Sequence, residues 1–218
     1  MKYDQFNYSL KNTTAYRFCI IFIFILSVRS LMATVIPGAY QFSKYVPSLK
    51  GLKVAIVANH TSMIGNVHLV DTLLAQDVKV KKIFAPEHGF RGNAANGEHI
   101  KNAIDKKSGL PIVSLYGKQK KPSSKELKGI DAIIFDMQDV GVRYYTYLTT
   151  MHYIMEACAE NNISLWILDR PNPNGHYIDG PVLDPKFTQS MVGLHPIPLV
   201  HGMTLGELAM MIKGEKWI

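Results

Sequence analysis

The stretch KVAIVANHTS, residues 53–62, decides the fold class. Lys53–Ala58 is a short apolar run with β-branched residues. It is too short for a typical helix and suits a strand buried on both faces. It breaks into the polar sequence Asn59-His60-Thr61-Ser62. The same signature recurs down the chain. Val80–Ala85 runs into Pro86-Glu87-His88-Gly89-Phe90-Arg91-Gly92, and Pro111–Leu115 into Tyr116-Gly117. Asp131–Phe135 leads to Asp136, Gln138, Asp139 and Arg143, and Ser164–Leu168 to Asp169-Arg170-Pro171-Asn172. Helical patterns lie between these runs. Asn66 caps a predicted helix through about Gln76, with Val67, Val70, Leu73 and Leu74 on one face. Ser123 and Glu126 make a capping box for a short helix ending near Gly129. Leu148, Met151, Met155 and Cys158 recur at helical spacing up to Asn161-Asn162. Strands alternating with helices predict an α/β fold, a mostly parallel sheet with helices on both faces.

Parallel strands send their carboxyl ends to one rim, and ligands of open α/β sheets bind in the crevice there. The predicted rim gathers Asn59, Glu87, His88, Arg91, Asp139, Arg143, Asp169, Arg170 and Asn172. Glu87 stands out because it ends a strand and precedes a turn in which Gly89 and Gly92 allow close backbone approach. Burial in a cleft can fit such a carboxyl for general-acid work. Pairing with Arg91, or capping a helix, is the plainer alternative. Asp139 and Arg143 stand four apart, which suits either a local ion pair or an arginine that grips a ligand carboxylate. Tyr144, Tyr145 and Tyr147 offer either a surface for a sugar ring or core packing.

Beyond Asp169, prolines 171, 173, 181 and 185 with Gly175 and Gly180 predict an irregular segment. It crosses the mouth of the sheet or leads to another subdomain. Thr204 and Glu207 form a second capping box, for a helix through about Lys213.

Of the 218 residues, 47% are apolar, enough for a packed core. The formal charge is +7, of which residues 1–33 carry +3, leaving +4 for the rest. The cluster Lys118, Lys120, Lys121 and Lys125 reads as a solvated loop, and no nucleic-acid-binding module is present. Phe18–Val28 is a short apolar run behind positive charge, which suits a signal peptide over residues 1–33 and an exported, periplasmic or envelope-associated protein. Arg29 leaves open an uncleaved anchor that would associate the chain with the membrane. Removal of the leader, with Cys19, leaves Cys158 alone, so no internal disulfide is expected. His60, His88, His195 and His201 lack metal-ligand spacing and read as hydrogen-bonding residues; no metal is expected. The glycines match neither common nucleotide-binding pattern, and no serine sits in a nucleophile elbow, so no cofactor is expected.

Six motifs occur in order: FAPEHGFRG (84–92), SGLPIVSLYG (108–117), FDMQDVGVRYYTY (135–147), LDRPNPNG (168–175), GPVLDP (180–185) and HGMTLGELA (201–209). Together they resemble the exo-β-N-acetylmuramidases of peptidoglycan recycling, long known only as a domain of unknown function. The likeness runs from about Gly51 to the C-terminus, with departures at His60-Thr61-Ser62 and Asn96. It implies a Rossmann-like catalytic domain over 51–185, after a linker at 34–50. Residues 186–218 then end that domain or begin a smaller C-terminal domain that is cut short. It implies release of N-acetylmuramic acid from the non-reducing end of cell-wall fragments, with peptidoglycan-derived sugars or muropeptides as partners.

The resemblance marks Glu87 as the catalytic residue. Asp139, Glu98 or Asp169 is expected to supply a second carboxylate, or the substrate's acetamido group to assist. Arg143 or Arg91 would bind the lactyl carboxylate, with Asn59, His88, Glu98, Tyr144, Asp169, Arg170 and Asn172 around the sugar. A non-catalytic muropeptide-binding module is the alternative.

Overall fold

The computed structural model describes residues 17–18, 35–91, 103–187 and 190–218. The chain divides after Val35, and the architecture below belongs to Ile36–Ile218. Its elements in order are α1 (Phe42–Leu49), β1 (Lys53–Ala58), β2 (Met63–Ile64), β3 (Val67–His68), α2 (Leu69–Ala75) and β4 (Lys79–Ala85). β5 (Ala103–Ile104), β6 (Pro111–Ser114), α3 (Ser124–Leu127) and β7 (Ala132–Asp136) follow. The last are α4 (Thr146–Glu160), β8 (Ser164–Ile167) and α5 (Leu205–Gly214).

The six-stranded sheet runs β5-β6-β4-β1-β7-β8, parallel except for the short edge strand β5. The chain builds outward from β1 through β4 to β6, then returns to β7 and β8 on the other side. The strand order therefore reverses between β1 and β7, and a ligand crevice opens at the carboxyl ends flanking such a switch. Side chains of β1 alternate between two cores. Ala55 and Val57 pack with α4 and α5, whereas Val54 and Ile56 pack with α1 and α2. This double coverage explains why the strands read as continuous apolar runs.

Both capping boxes form. Ser123 and Thr204 accept from the backbone N–H groups of Glu126 and Glu207, whose carboxylates return to the cap residues. The helix expected from Asn66 begins later. Val67–His68 pairs with Met63–Ile64 in a small antiparallel hairpin, and His68 Nδ1 caps α2 by accepting from Val70 N–H at 3.2 Å. The stretch before β1 is also ordered, since Tyr45, Val46 and Leu49 of α1 are buried. Among the described residues, no helix is long and apolar enough to cross a membrane. The expected leader and Cys19 lie largely outside the described residues.

Two buried polar pairs hold loops to this frame. At the end of β7, the Asp136 carboxylate is fully buried and accepts from Arg170 Nε at 2.6 Å and Nη2 at 3.0 Å. Arg170 also donates to the Met63 carbonyl at 3.1 Å, which fastens the hairpin. On the α4 face, His195 Nε2 lies 3.0 Å from His152 Nδ1, and His152 Nε2 lies 3.2 Å from Glu156 Oε1. Glu156 can only accept, so His152 donates through Nε2 and receives His195's Nε2–H at Nδ1. Both imidazoles are thus neutral in this arrangement. Burial lowers both pKa values, that of His195 to about 4.

Removing Arg170 leaves a buried carboxylate uncompensated. Arg170→Met is expected to lower unfolding free energy by about 3–5 kcal/mol, measured by urea denaturation at neutral pH. The histidine pair makes stability depend on pH. Between the ordinary value of 6.5 and about 4, the unfolded chain takes up a proton that folded His195 refuses. Its contribution is complete above that window and declines as pH falls through it, by up to about 1.4 kcal/mol per pH unit. Urea midpoints between pH 7 and 4.5 should show this slope, and His195→Gln should flatten it.

Candidate active site at the carboxyl edge of the sheet

Asn59 leaves β1 fully buried at the switch point. Its Oδ1 accepts from Thr61 N–H at 2.9 Å and the Thr61 hydroxyl at 2.6 Å. Thr61 Oγ1 in turn accepts from Gln138 N–H at 3.0 Å, which ties the two sides of the crevice together. Ser62 donates its hydroxyl to the Asp136 carbonyl across the same gap.

Glu87 follows β4, on the strand beside β1. The next two residues adopt positive φ, 67° at His88 and 79° at Gly89. Left-handed geometry is uncommon away from glycine and recurs at functional turns. The turn is pinned from below. Phe90 is buried edge-on against His68, with ring centroids 4.6 Å apart, and the Arg91 guanidinium covers the Phe90 ring at 4.7 Å. Arg91 forks onto Asp105 with two 2.8 Å bonds and reaches Asp71 at 3.2 Å. The guanidinium holds the Asp105 carboxyl well below the usual carboxylate range. Arg91 is therefore engaged by two carboxylates, neither of them Glu87.

Glu87 Oε2 accepts from the Thr146 hydroxyl at 3.0 Å, at the start of α4. The Tyr116 phenol, beyond β6, faces the same carboxylate, whose negative charge raises the Tyr116 pKa. Among the described residues, the hydrogen-bonding neighbours of Glu87 are thus hydroxyls. A hydroxyl can donate to a carboxylate and accept from a carboxylic acid.

The other rim acids are held differently. Asp136 is neutralised by Arg170. Asp169 Oδ2 accepts from the Thr204 hydroxyl at 2.6 Å, and Oδ1 accepts from Gly206 N–H at 2.9 Å and Arg170 N–H at 3.1 Å. It sits at the N-terminus of α5, where the helix dipole favours an anion. A Cβ on Gly206 would meet the Asp169 carboxylate at 2.8 Å, so this approach requires glycine. Asp139 is buried; its Oδ2 accepts from Gly141 N–H at 2.7 Å and lies 3.6 Å from His201 Nε2, while Oδ1 has no partner.

The local ion pair considered for Asp139 and Arg143 does not form, because the segment is a turn and α4 starts only at Thr146. Arg143 Nη1 instead donates to the carbonyls of Pro181, at 2.8 Å, and Ile197. Asn172 donates to the Met203 carbonyl at 2.9 Å and accepts from Asn174 N–H at 2.8 Å. Of the three tyrosines, Tyr147 is core, Tyr145 packs edge-on against it at 4.7 Å, and Tyr144 is exposed. Glu98 lies outside the described residues. Among those described, no three His, Cys, Asp or Glu side chains gather to hold a metal ion. Thr146 and Tyr116 carry no sequence signal as site residues, because their link to Glu87 spans separate elements.

A shallow cavity of about 260 Å³ lies beside the Glu87 turn, lined in part by His60, Asn66, Asp71, Arg91 and Lys107. Its charged groups already pair with one another.

Comparison with known proteins agrees with this architecture. The peptidoglycan β-N-acetylmuramidase NamZ of Bacillus subtilis (strain 168) is 48% identical over 176 residues, covering 78% of this chain and 42% of that protein. A DUF1343 family protein from Bacteroides fragilis NCTC 9343 superposes with a TM-score of 0.76 at 53% identity, covering 85% of this chain and 48% of that one. A second DUF1343 protein from the same organism gives 0.75 at 38% identity, covering 83% and 46%. The chain spans about half the length of the relatives it matches. The pattern of one family covers residues 54–218, from the second residue of β1 through α5. The chain belongs to that family, described as exo-β-N-acetylmuramidase NamZ, N-terminal.

Proposed function

We propose that this chain is a glycoside hydrolase that releases N-acetylmuramic acid from the non-reducing end of peptidoglycan fragments, with Glu87 as general acid. The observation that carries the assignment is the neighbourhood of Glu87. Its carboxyl lies at the rim between two hydroxyls, whereas Asp136 and Asp169 are fixed by a cation or by backbone N–H groups. Only a carboxyl free of such partners can lose and regain a proton at little cost. The similarity to a protein named peptidoglycan β-N-acetylmuramidase supplies the substrate class.

In this reading the Glu87 proton passes to the glycosidic oxygen as the bond to the anomeric carbon breaks. Water supplies the new hydroxyl on that carbon and gives its remaining proton to the second carboxylate, after which exchange with solvent restores both groups. Asp139, with one oxygen unpartnered, provides the second carboxylate. Arg143, whose Nη1 meets neutral carbonyls rather than acids, is better suited than Arg91 to receive the lactyl carboxylate. His88 and Tyr144 then flank the sugar. The apolar segment Phe18–Val28 behind its basic residues directs the chain to export and the cell envelope, where such fragments arise.

The test uses β-N-acetylmuramides with different leaving groups. With a sugar leaving group, Glu87→Gln should lower kcat by about 10²–10⁴-fold. With 2,4-dinitrophenolate, which departs without protonation, the loss should be far smaller. Near-normal turnover of the sugar glycoside would remove Glu87 from this role. Binding of N-acetylmuramic acid without cleavage of either glycoside would make the chain a binding module.

A further inference from the structure

Two buried side-chain atoms at the crevice, Asp139 Oδ1 and His201 Nε2, have no hydrogen-bond partner. More than nine in ten buried polar groups in proteins are paired. Exceptions beside a ligand crevice are groups that a bound ligand, or a shift on binding, can satisfy. His201 Nε2 lies 3.6 Å from Oδ2 of Asp139, the oxygen that Gly141 already engages, and both residues are buried.

The chemistry of His201 is set by its other nitrogen. Met203 N–H donates to His201 Nδ1 at 3.3 Å, so Nδ1 carries the lone pair and Nε2 carries the hydrogen. That hydrogen points toward the carboxylate oxygen that Gly141 N–H holds at 2.7 Å. The backbone closes the ring, because His201 N–H donates to the Gly141 carbonyl at 3.2 Å. Neighbouring antiparallel contacts, Val142 with Val200 and Arg143 N–H to the Leu199 carbonyl at 2.8 Å, fix the two segments against each other. The position of residue 201 is therefore a backbone matter, and its side chain is free to serve Asp139.

At 3.6 Å the His201–Asp139 contact is too long for a hydrogen bond. A shift of about 0.8 Å would make it one, and catalytic hydrogen bonds are often long until substrate is bound. We infer that His201 is a positioning residue: its Nε2–H closes onto Asp139 when the sugar binds and turns the unpartnered Asp139 oxygen toward the reacting water. This role rests on the glycosidase reading given above.

The test compares two substitutions in the 218-residue chain, read beside Glu87→Gln. In His201→Gln the amide nitrogen falls near the place of Nε2 and can still donate to Asp139. The shorter His201→Asn can receive only the Met203 N–H. His201→Asn is expected to lose about 10²-fold in kcat with KM changed less than about twofold, and His201→Gln to recover most of that loss. In the unmodified chain, N-acetylmuramic acid should move the His201 Nε2 proton downfield in the NMR spectrum, and Asp139→Asn should abolish the shift.

Equal loss in both variants, a change confined to KM, or an unmoved Nε2 proton would overturn the role. If cleavage depends on Glu87 but ignores His201, this inference alone fails. If the unmodified chain cleaves no muramide, the glycosidase reading fails and takes the inference with it. Should either variant not fold, the NMR shift decides.

Discussion

The ion pair between Asp136 and Arg170 is the constraint around which the working edge is arranged. It sits where β7 ends, beside the switch in strand order, and its carboxylate has no access to water. A carboxylate in such a place is tolerable only with a well-aligned guanidinium, and the guanidinium arrives on the loop after β8. The same arginine holds the β2–β3 hairpin through the Met63 carbonyl. One charge pair thus fixes the loops leaving β1, β7 and β8 relative to one another. The polar links Asn59–Thr61–Gln138 and Gln138–Pro171 then run over a rim that is already rigid.

Against that background, the acids of the rim fall into two groups by the company they keep. Asp71, Asp105 and Asp136 pair with cations, and Asp169 with backbone N–H groups at a helix terminus. They hold structure. Glu87 meets rotatable hydroxyls. Asp139 stands between, with one oxygen engaged and the other not. Burial differs as well, since Glu87 is only half-buried and Asp136 wholly so.

Much of this fold is legible in the sequence, and for local reasons. Lys53–Ala58 is a strand with the bounds its apolar run predicts, and the other four predicted strands shift by about a residue at their ends. Both capping boxes announce helices because their hydrogen bonds span three residues. The hairpin β2–β3 and the edge strand β5 have two residues each, too few for any periodicity. The hairpin also displaced the predicted cap of α2 from Asn66 to His68. At the site, convergence of the strand ends follows from topology and could be read in advance. The partners could not. Arg170 finds Asp136 across 34 residues, and Asp169 finds Thr204 across 35. Such pairings depend on which loops the sheet brings together, so they separate structural from reactive acids only once the chain is folded.

The left-handed backbone at His88 changes how that position should be interrogated. An imidazole and an unusual φ of 67° occur together there, directly after Glu87. Replacing His88 by alanine would remove the ring and penalise the turn at once, tilting the neighbouring carboxyl for reasons unrelated to imidazole chemistry. Glycine keeps the turn and deletes the ring, and asparagine keeps the turn and a polar group. The difference between those two, rather than the alanine result, isolates what the ring contributes to the sugar.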